Sequence, residues 1–141
     1  MILLTPQLHT ALRANAISQG ICERRGERFD PVPLVKLFNP LSAATWLATE
    51  LAEDCDTLFG LADLGFGCPE LGVFSLSEIA ALRLPFGLRI ERDIAFETPH
   101  SLSVWADWAR RAGSILHAEA LLRRAAQNSA AGGADPEIPP G

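Results

Sequence analysis

Across residues 34–96 the chain alternates short apolar runs with turn residues, and on either side of that stretch the apolar positions recur at three- and four-residue steps. Four segments, 34–38, 45–51, 57–64 and 70–75, have the length and bounding Pro, Gly, Asn or acidic residues of strands. In the second, alternation puts Trp46 and Ala48 on one face and Leu47 and Thr49 on the other, with Glu50 on the Trp46 face. Residues 88–96 read as a fifth strand with Ile90, Ile94 and Phe96 at even spacing. The links between the first four are too short for crossover helices, so sequence neighbours are expected to pair antiparallel.

The flanks have the helical period. Thr5-Pro6 supplies an N-cap and a first-turn proline, and Leu8, Ala11, Leu12 and Ile17 continue as a stripe, predicting a helix over 6–18. Ser75-Leu76-Ser77-Glu78 is a capping box opening a short middle helix that ends before Pro85. From Ser101 or Ser103 onward, Trp105, Trp108, Ala109, Ala112, Ile115, Leu116 and Leu122 form a wide stripe. This predicts one long helix, with Gly113 its weak point. From Gln127 the composition turns to Ala, Gly, Ser and Pro, the signature of a disordered tail. The expected architecture is α+β: one domain over 1–126 with a mostly antiparallel sheet of four to five strands. An N-terminal helix, a short middle helix and a long C-terminal helix pack on it, and 127–141 form the tail.

Composition narrows the function classes. A formal charge of −5 argues against a general nucleic-acid binder, whose affinity comes from Lys and Arg neutralising phosphates. The charges cluster: Glu50, Glu53, Asp54 and Asp56 on one side, and Arg24, Arg25 and Arg28 on the other. Cys22, Cys55 and Cys68 have no C-x-x-C spacing and read as separate thiols of a reducing compartment. MILLTP is too short for a secretory core and no run approaches a membrane span, so a soluble cytoplasmic protein is expected.

Chemistry-bearing patterns are few. Leu64-Gly65-Phe66-Gly67-Cys68-Pro69 has a Gly-x-Gly, but Glu70 stands where a dinucleotide fingerprint needs its third glycine, and a strand follows in place of a helix. It reads as a hairpin turn with Asp63 and Glu70 near its mouth, a carboxylate pair that could hold a cation or divide acid–base roles. Glu91-Arg92-Asp93 lies in the fifth strand, with Arg92 on the Ile90 face; a buried guanidinium there calls for a carboxylate, with Glu50, Glu70 and Glu78 as candidates. Trp105 and Trp108 read as core or interface. His9, His100 and His117 lack metal-ligand spacing, no serine sits in a G-x-S-x-G elbow, and neither a metal nor a cofactor is implied.

Several segments together resemble the domain of unknown function 2958 family: VPLVKLF at 32–38, TWLATEL at 45–51, Phe59-Gly60-Leu61, PELGVFSL at 69–76 with Glu78, and the ERD of 91–93. The resemblance covers 3–96 and rests on combined spacing. It implies a small bacterial protein of a kind often encoded on plasmids, integrative elements and phages, near conjugation and anti-restriction genes, with no established activity. The family usually has tyrosine after P-E-L-G; here Val73 stands there and the chain has no tyrosine, so no role resting on a phenol carries over.

The reading that follows is a non-enzymatic accessory protein of a mobile element, an anti-restriction or anti-CRISPR inhibitor being one concrete form. Its partner would be a host or element-encoded protein, met through the Glu50–Asp56 cluster or the Trp105–Trp108 helix face. The alternative is a small enzyme or anionic-ligand-binding domain with Glu50, Glu70 and Arg92 converging on a cleft. A nucleic-acid role through Arg24, Arg25 and Arg28, or through Arg110, Arg111, Arg123 and Arg124, is the less favoured third reading, and no membrane partner is implied. Oligomeric state is left open, a homodimer included.

Overall fold

In a computed structural model, which describes residues 2–130, the chain forms one antiparallel five-stranded sheet between two helical layers. The strands are β1 (Val35–Phe38), β2 (Thr45–Leu51), β3 (Thr57–Asp63), β4 (Glu70–Ser75) and β5 (Glu91–Arg92), in spatial order β4-β3-β2-β1-β5. Among the described residues the helices are α1 (Pro6–Arg24), α2 (Leu76–Ala81), α3 (Leu102–Ala112) and α4 (Ile115–Ala130). The first four strands form a meander; the chain then passes through α2 to the opposite edge, where β5 joins β1.

The two sheet faces divide the core. Val35, Leu37, Trp46, Ala48 and Leu58 pack under α1 and the N-terminal Leu3 and Leu4, joined by Ile79 of α2. Leu47 and Leu61 pack against Leu102, Trp105, Ala109 and Ile115 of α3 and α4. Strand alternation makes this sandwich: every interior strand has apolar side chains on both faces, which two helical layers bury.

Helix α1 begins where the sequence predicts, with the Thr5 hydroxyl accepting from the Leu8 amide at 3.1 Å. It runs six residues past the expected end. The stop is Gly26, in the left-handed region at φ 67°, with its amide bonded to Glu23 O and the Glu27 amide bonded to Cys22 O. That paired closure is a Schellman motif; Gly20, inside the helix, does not interrupt it.

The expected long C-terminal helix is two helices. Gly113 closes α3 at φ 83°, and the Ser114 hydroxyl accepts from the His117 amide to open α4. The apolar stripe runs through the break because both helices lie on the same sheet face. Helix α4 continues to Ala130, beyond the expected domain boundary at 126; the rest of the expected tail lies outside the described residues.

The fifth strand is shorter than expected. The Asp93 carboxylate accepts from the Ala95 amide and the Phe96 amide bonds Asp93 O, turning the chain out of the sheet and leaving Ile94 exposed. The Gly65–Gly67 segment is the β3–β4 hairpin loop, with both glycines at positive φ, and it leads into a strand.

Strand β2 carries a bulge. Ala48 pairs with Gly60 and Glu50 with Phe59, so Thr49 is an extra residue. Its carbonyl is taken by Asn15 Nδ2 of α1 at 2.9 Å, and its single hydroxyl proton is shared between Phe59 O at 3.3 Å and the Glu50 carboxylate at 3.5 Å. The insertion reverses the alternation, so Glu50 lies on the Phe59 face and not, as strict alternation predicts, on the Trp46 face. Opposite the bulge, Gly60 meets the neighbouring backbone so closely that a Cβ there would sit 1.8 Å from Leu47 O.

Candidate functional site

The sequence singles out nine side chains, and the fold gives most of them structural work. Asp63 is fully buried. One carboxylate oxygen accepts from the Gly65 amide and the other from the Ile115 amide, each at 2.9 Å. It therefore pins the hairpin loop to the start of α4, where a carboxylate also complements the helix dipole. Glu70 is exposed at the beginning of β4 and pairs with Ala62, so it lies on the opposite sheet face from Asp63 and the two do not form a carboxylate pair at the turn.

Glu78 makes half of the expected capping box: its amide donates to the Ser75 hydroxyl at 3.2 Å. The carboxylate holding this helix start is Asp56, which accepts from the Ser75 hydroxyl at 2.7 Å and the Ser77 amide at 2.8 Å. Asp54 likewise accepts from the Asp56 and Thr57 amides and the Thr57 hydroxyl, closing the β2–β3 turn. These bonds hold both carboxyls below the ordinary aspartate range, the Thr57 hydroxyl being the largest cause for Asp54 and the Ser75 hydroxyl for Asp56. Two members of the acidic cluster are thus turn-builders rather than a free docking face.

Arg92 shares the Ile90 face of the sheet, as alternation predicts, but its guanidinium donates to the carbonyls of Leu3 at 2.7 Å and Ile2 at 3.2 Å. It ties the N-terminal segment to β5. Glu70 and Arg92 stand at opposite edges of the sheet, four strand spacings or roughly 19 Å apart. The expected cleft of Glu50, Glu70 and Arg92 is therefore not assembled. Glu91 faces the other way, opposite Phe38 in the β1–β5 ladder.

Asp93 joins a network that the sequence did not reveal. Buried Lys36 donates to both carboxylate oxygens of Glu119 at 2.8 and 2.9 Å, with Asp93 at 3.6 Å and Arg123 on Glu119 at 3.7 Å. Trp105 and Trp108 are only 3% and 5% exposed, so they are core and not a contact surface. The Trp105 indole N–H donates to the Thr98 hydroxyl, and its ring packs on Phe96. Of the arginines named for nucleic acid, Arg111 pairs with Asp107 and Arg123 with Glu119 along their own helices.

Two of the features open to solvent bear on binding. The first is a cavity of about 360 Å³ between the start of α3 and the α3-side face of β2–β4. Its apolar wall is Phe29, Pro31, Phe59, Leu71 and Leu102, and the bulge turns Glu50 into it. Burial pushes the Glu50 carboxyl above its ordinary value, opposed by a weak 3.5 Å bond from the Thr49 hydroxyl. Arg28 and Asp30 lie at the same cavity. Burial raises the Asp30 carboxyl, yet bonds from the Ser103 hydroxyl and amide and the nearby Arg28 bring it below the ordinary range. Those bonds to Ser103 cap α3.

The second feature is β4 itself, an edge strand. Val73 is 71% exposed, Leu71 39%, and Phe66 in the adjoining loop 82%. Among the described residues no three His, Cys, Asp or Glu side chains are grouped to hold a metal, and no helix is long and apolar enough to cross a membrane.

No curated protein and no solved structure matches the chain. A family model described as a protein of unknown function, DUF2958, matches residues 3–116, from the segment that Arg92 ties down to the α4 start that Asp63 caps. The protein belongs to the DUF2958 family.

Proposed function

We propose that this protein is a non-enzymatic interaction protein whose partner, a protein of the host or of the element that encodes it, adds a strand to the β4 edge. The observation that supports this reading is the character of that edge. Sheet edges of soluble proteins are normally blunted by inward charges, lysine, proline or a bulge, because unpaired amides and carbonyls template pairing. β4 reads Glu-Leu-Gly-Val-Phe-Ser, with its one charge at the first position and exposed Leu71 and Val73 on a single face. Main-chain bonds to such an edge supply affinity, and apolar contacts with Leu71, Val73 and Phe66 supply selectivity.

Of the residues that an enzyme reading needs, Arg92 is taken up by the N-terminal tether and Glu70 stands at the opposite edge of the sheet, which favours binding over catalysis. Taken with the mobile-element setting of the family, the concrete role is an anti-defence inhibitor that occupies a surface of a restriction or CRISPR complex. The test is affinity capture from a host carrying such machinery, paired with protection of phage or plasmid DNA. Leu71→Glu with Val73→Lys should abolish both while the circular dichroism spectrum stays unchanged. Capture and protection that survive this double change would overturn the assignment to β4, and absence of both with the unaltered protein would overturn the role.

A further inference from the structure

The cavity beside Glu50 shares Leu71 with the β4 edge but is otherwise lined by residues outside it, and its chemistry is specific. A half-buried carboxylate normally acquires a cation or several strong donors, because desolvation without compensation is costly. Among the described residues Glu50 has one hydrogen bond, at 3.5 Å from a neutral hydroxyl. The carboxylate is placed there by the Thr49 bulge, which Asn15 and Phe59 O secure; in a regular strand it would face α1 instead.

Around it stand the rings of Phe29 and Phe59 and the side chains of Leu71 and Leu102. A volume of about 360 Å³ falls in the range of sites that take small organic ligands. A carboxylate at the end of an apolar, aromatic-walled recess suits a positive head on an apolar stem: the charge meets the carboxylate, the stem covers the wall, and the rings attract the cation. Among the described residues Arg28 is the one cation at the cavity, and it lies near Asp30, so with Glu50 these residues give the recess a net negative charge.

We infer that the Glu50 cavity is a binding site for an organic cation, an alkylguanidinium or alkylammonium group with a short apolar stem. The same group could come from a free small molecule or from an arginine or lysine side chain of a polypeptide, and the experiment separates them. Nuclear magnetic resonance titration of the full chain would use n-butylguanidinium and n-butylammonium, with butyrate and butanol as charge-reversed and neutral counterparts. The arginine source would be represented by N-acetyl-arginine amide within a short peptide.

The cations should shift the Glu50, Phe59 and Leu71 amides and bind at least about tenfold more tightly than butyrate or butanol. Glu50→Gln, which removes an uncompensated charge and so does not threaten folding, should weaken the cations at least about tenfold. Lowering the pH through the raised Glu50 carboxyl should do the same. The groups facing it are Asp30, which titrates lower, the Arg28 guanidinium beside Asp30, and the uncharged Gln19 and Ser103. Tighter binding of the free cation than of the peptide identifies a small-molecule site, and the reverse identifies a side-chain site. Equal binding of butyrate, indifference to Glu50→Gln, or no shift with any cation would overturn the inference. Phe66→Ser, which tests the docking surface beside β4 at a residue that does not line the cavity, should leave cation binding intact, so the two proposals fail separately.

Discussion

Replacing Asp63 tests how far one carboxylate holds the two halves of this domain together. It accepts two backbone amides, and the Ile115 amide it serves belongs to a fully buried residue at the first turn of α4. In Asp63→Ala the Ile115 amide loses its acceptor where water does not reach easily, at about 2–3 kcal/mol. The Gly65 amide, in an exposed loop, recovers water and loses less, about 0.5–1 kcal/mol. Loss of the negative charge at the helix start adds about 0.5 kcal/mol, and relief from burying a carboxylate offsets part of the sum. The expected net is about 3 kcal/mol, or roughly 10 °C in Tm for a chain of this size.

Asp63→Asn should cost less, about 1–1.5 kcal/mol. Its oxygen can keep the buried Ile115 amide while its NH₂ turns toward the loop. Urea unfolding read by tryptophan fluorescence gives both values, and hydrogen exchange should show the Ile115 amide deprotected in the alanine variant. An alanine variant within about 0.5 kcal/mol of the parent, or one no worse than the asparagine variant, would refute the reasoning.

Other expectations follow from the same contacts. Gly60→Ala drives a Cβ to 1.8 Å from Leu47 O and should destabilise by about 4 kcal/mol or fail to fold, whereas Gly72→Ala, with open space around it, should fall within about 1 kcal/mol of the parent by urea melt. Lys36→Met leaves Glu119 without its main cation and should cost about 3 kcal/mol, while Lys36→Met with Glu119→Leu should recover most of that, measured as a double-mutant cycle. Asp54 and Asp56 have depressed carboxyl pKa values, so their contribution is present above the ordinary aspartate range and is lost as pH falls through the folded-state values. Stability should fall on that acid limb, and Asp54→Asn should flatten it in pH-dependent urea melts. Glu50 has the opposite sign. Its raised carboxyl favours the fold at low pH and loses that contribution as pH rises through the folded value, so Glu50→Gln should raise stability at neutral pH.

Local signals in the sequence were readable where the chain itself sets the geometry. The bounds of β2 and β4, the Thr5 and Ser75 caps, and the β3–β4 turn all depend on residues a few positions apart. Ala112-Gly113-Ser114-Ile115 also contained a helix stop followed by a cap. It was masked by the continuous apolar stripe, which both helices share because they cover one sheet face. The fifth strand was overread because Ile94 and Phe96 keep the even spacing although Asp93 has already turned the chain away. The site was the least legible part. A bulge has no composition of its own, so the side on which Glu50 emerges depends on pairing between β2 and β3. The acceptors of Arg92 are main-chain carbonyls near the N-terminus, and the partner of Lys36 is 83 residues away, so neither could be found by looking for a nearby opposite charge.

The bond from Lys36 to Glu119 crosses the limit of the family match, which stops at residue 116. A charge inside the shared portion is neutralised by a side chain supplied from outside it. A DUF2958 protein with lysine at this place but a different C-terminal extension must bring its counter-ion from elsewhere, and the carboxylate at position 93, held 3.6 Å away here, is the nearest understudy. Any truncation intended to isolate the shared portion should therefore retain α4 at least through Arg123, or replace Lys36 at the same time.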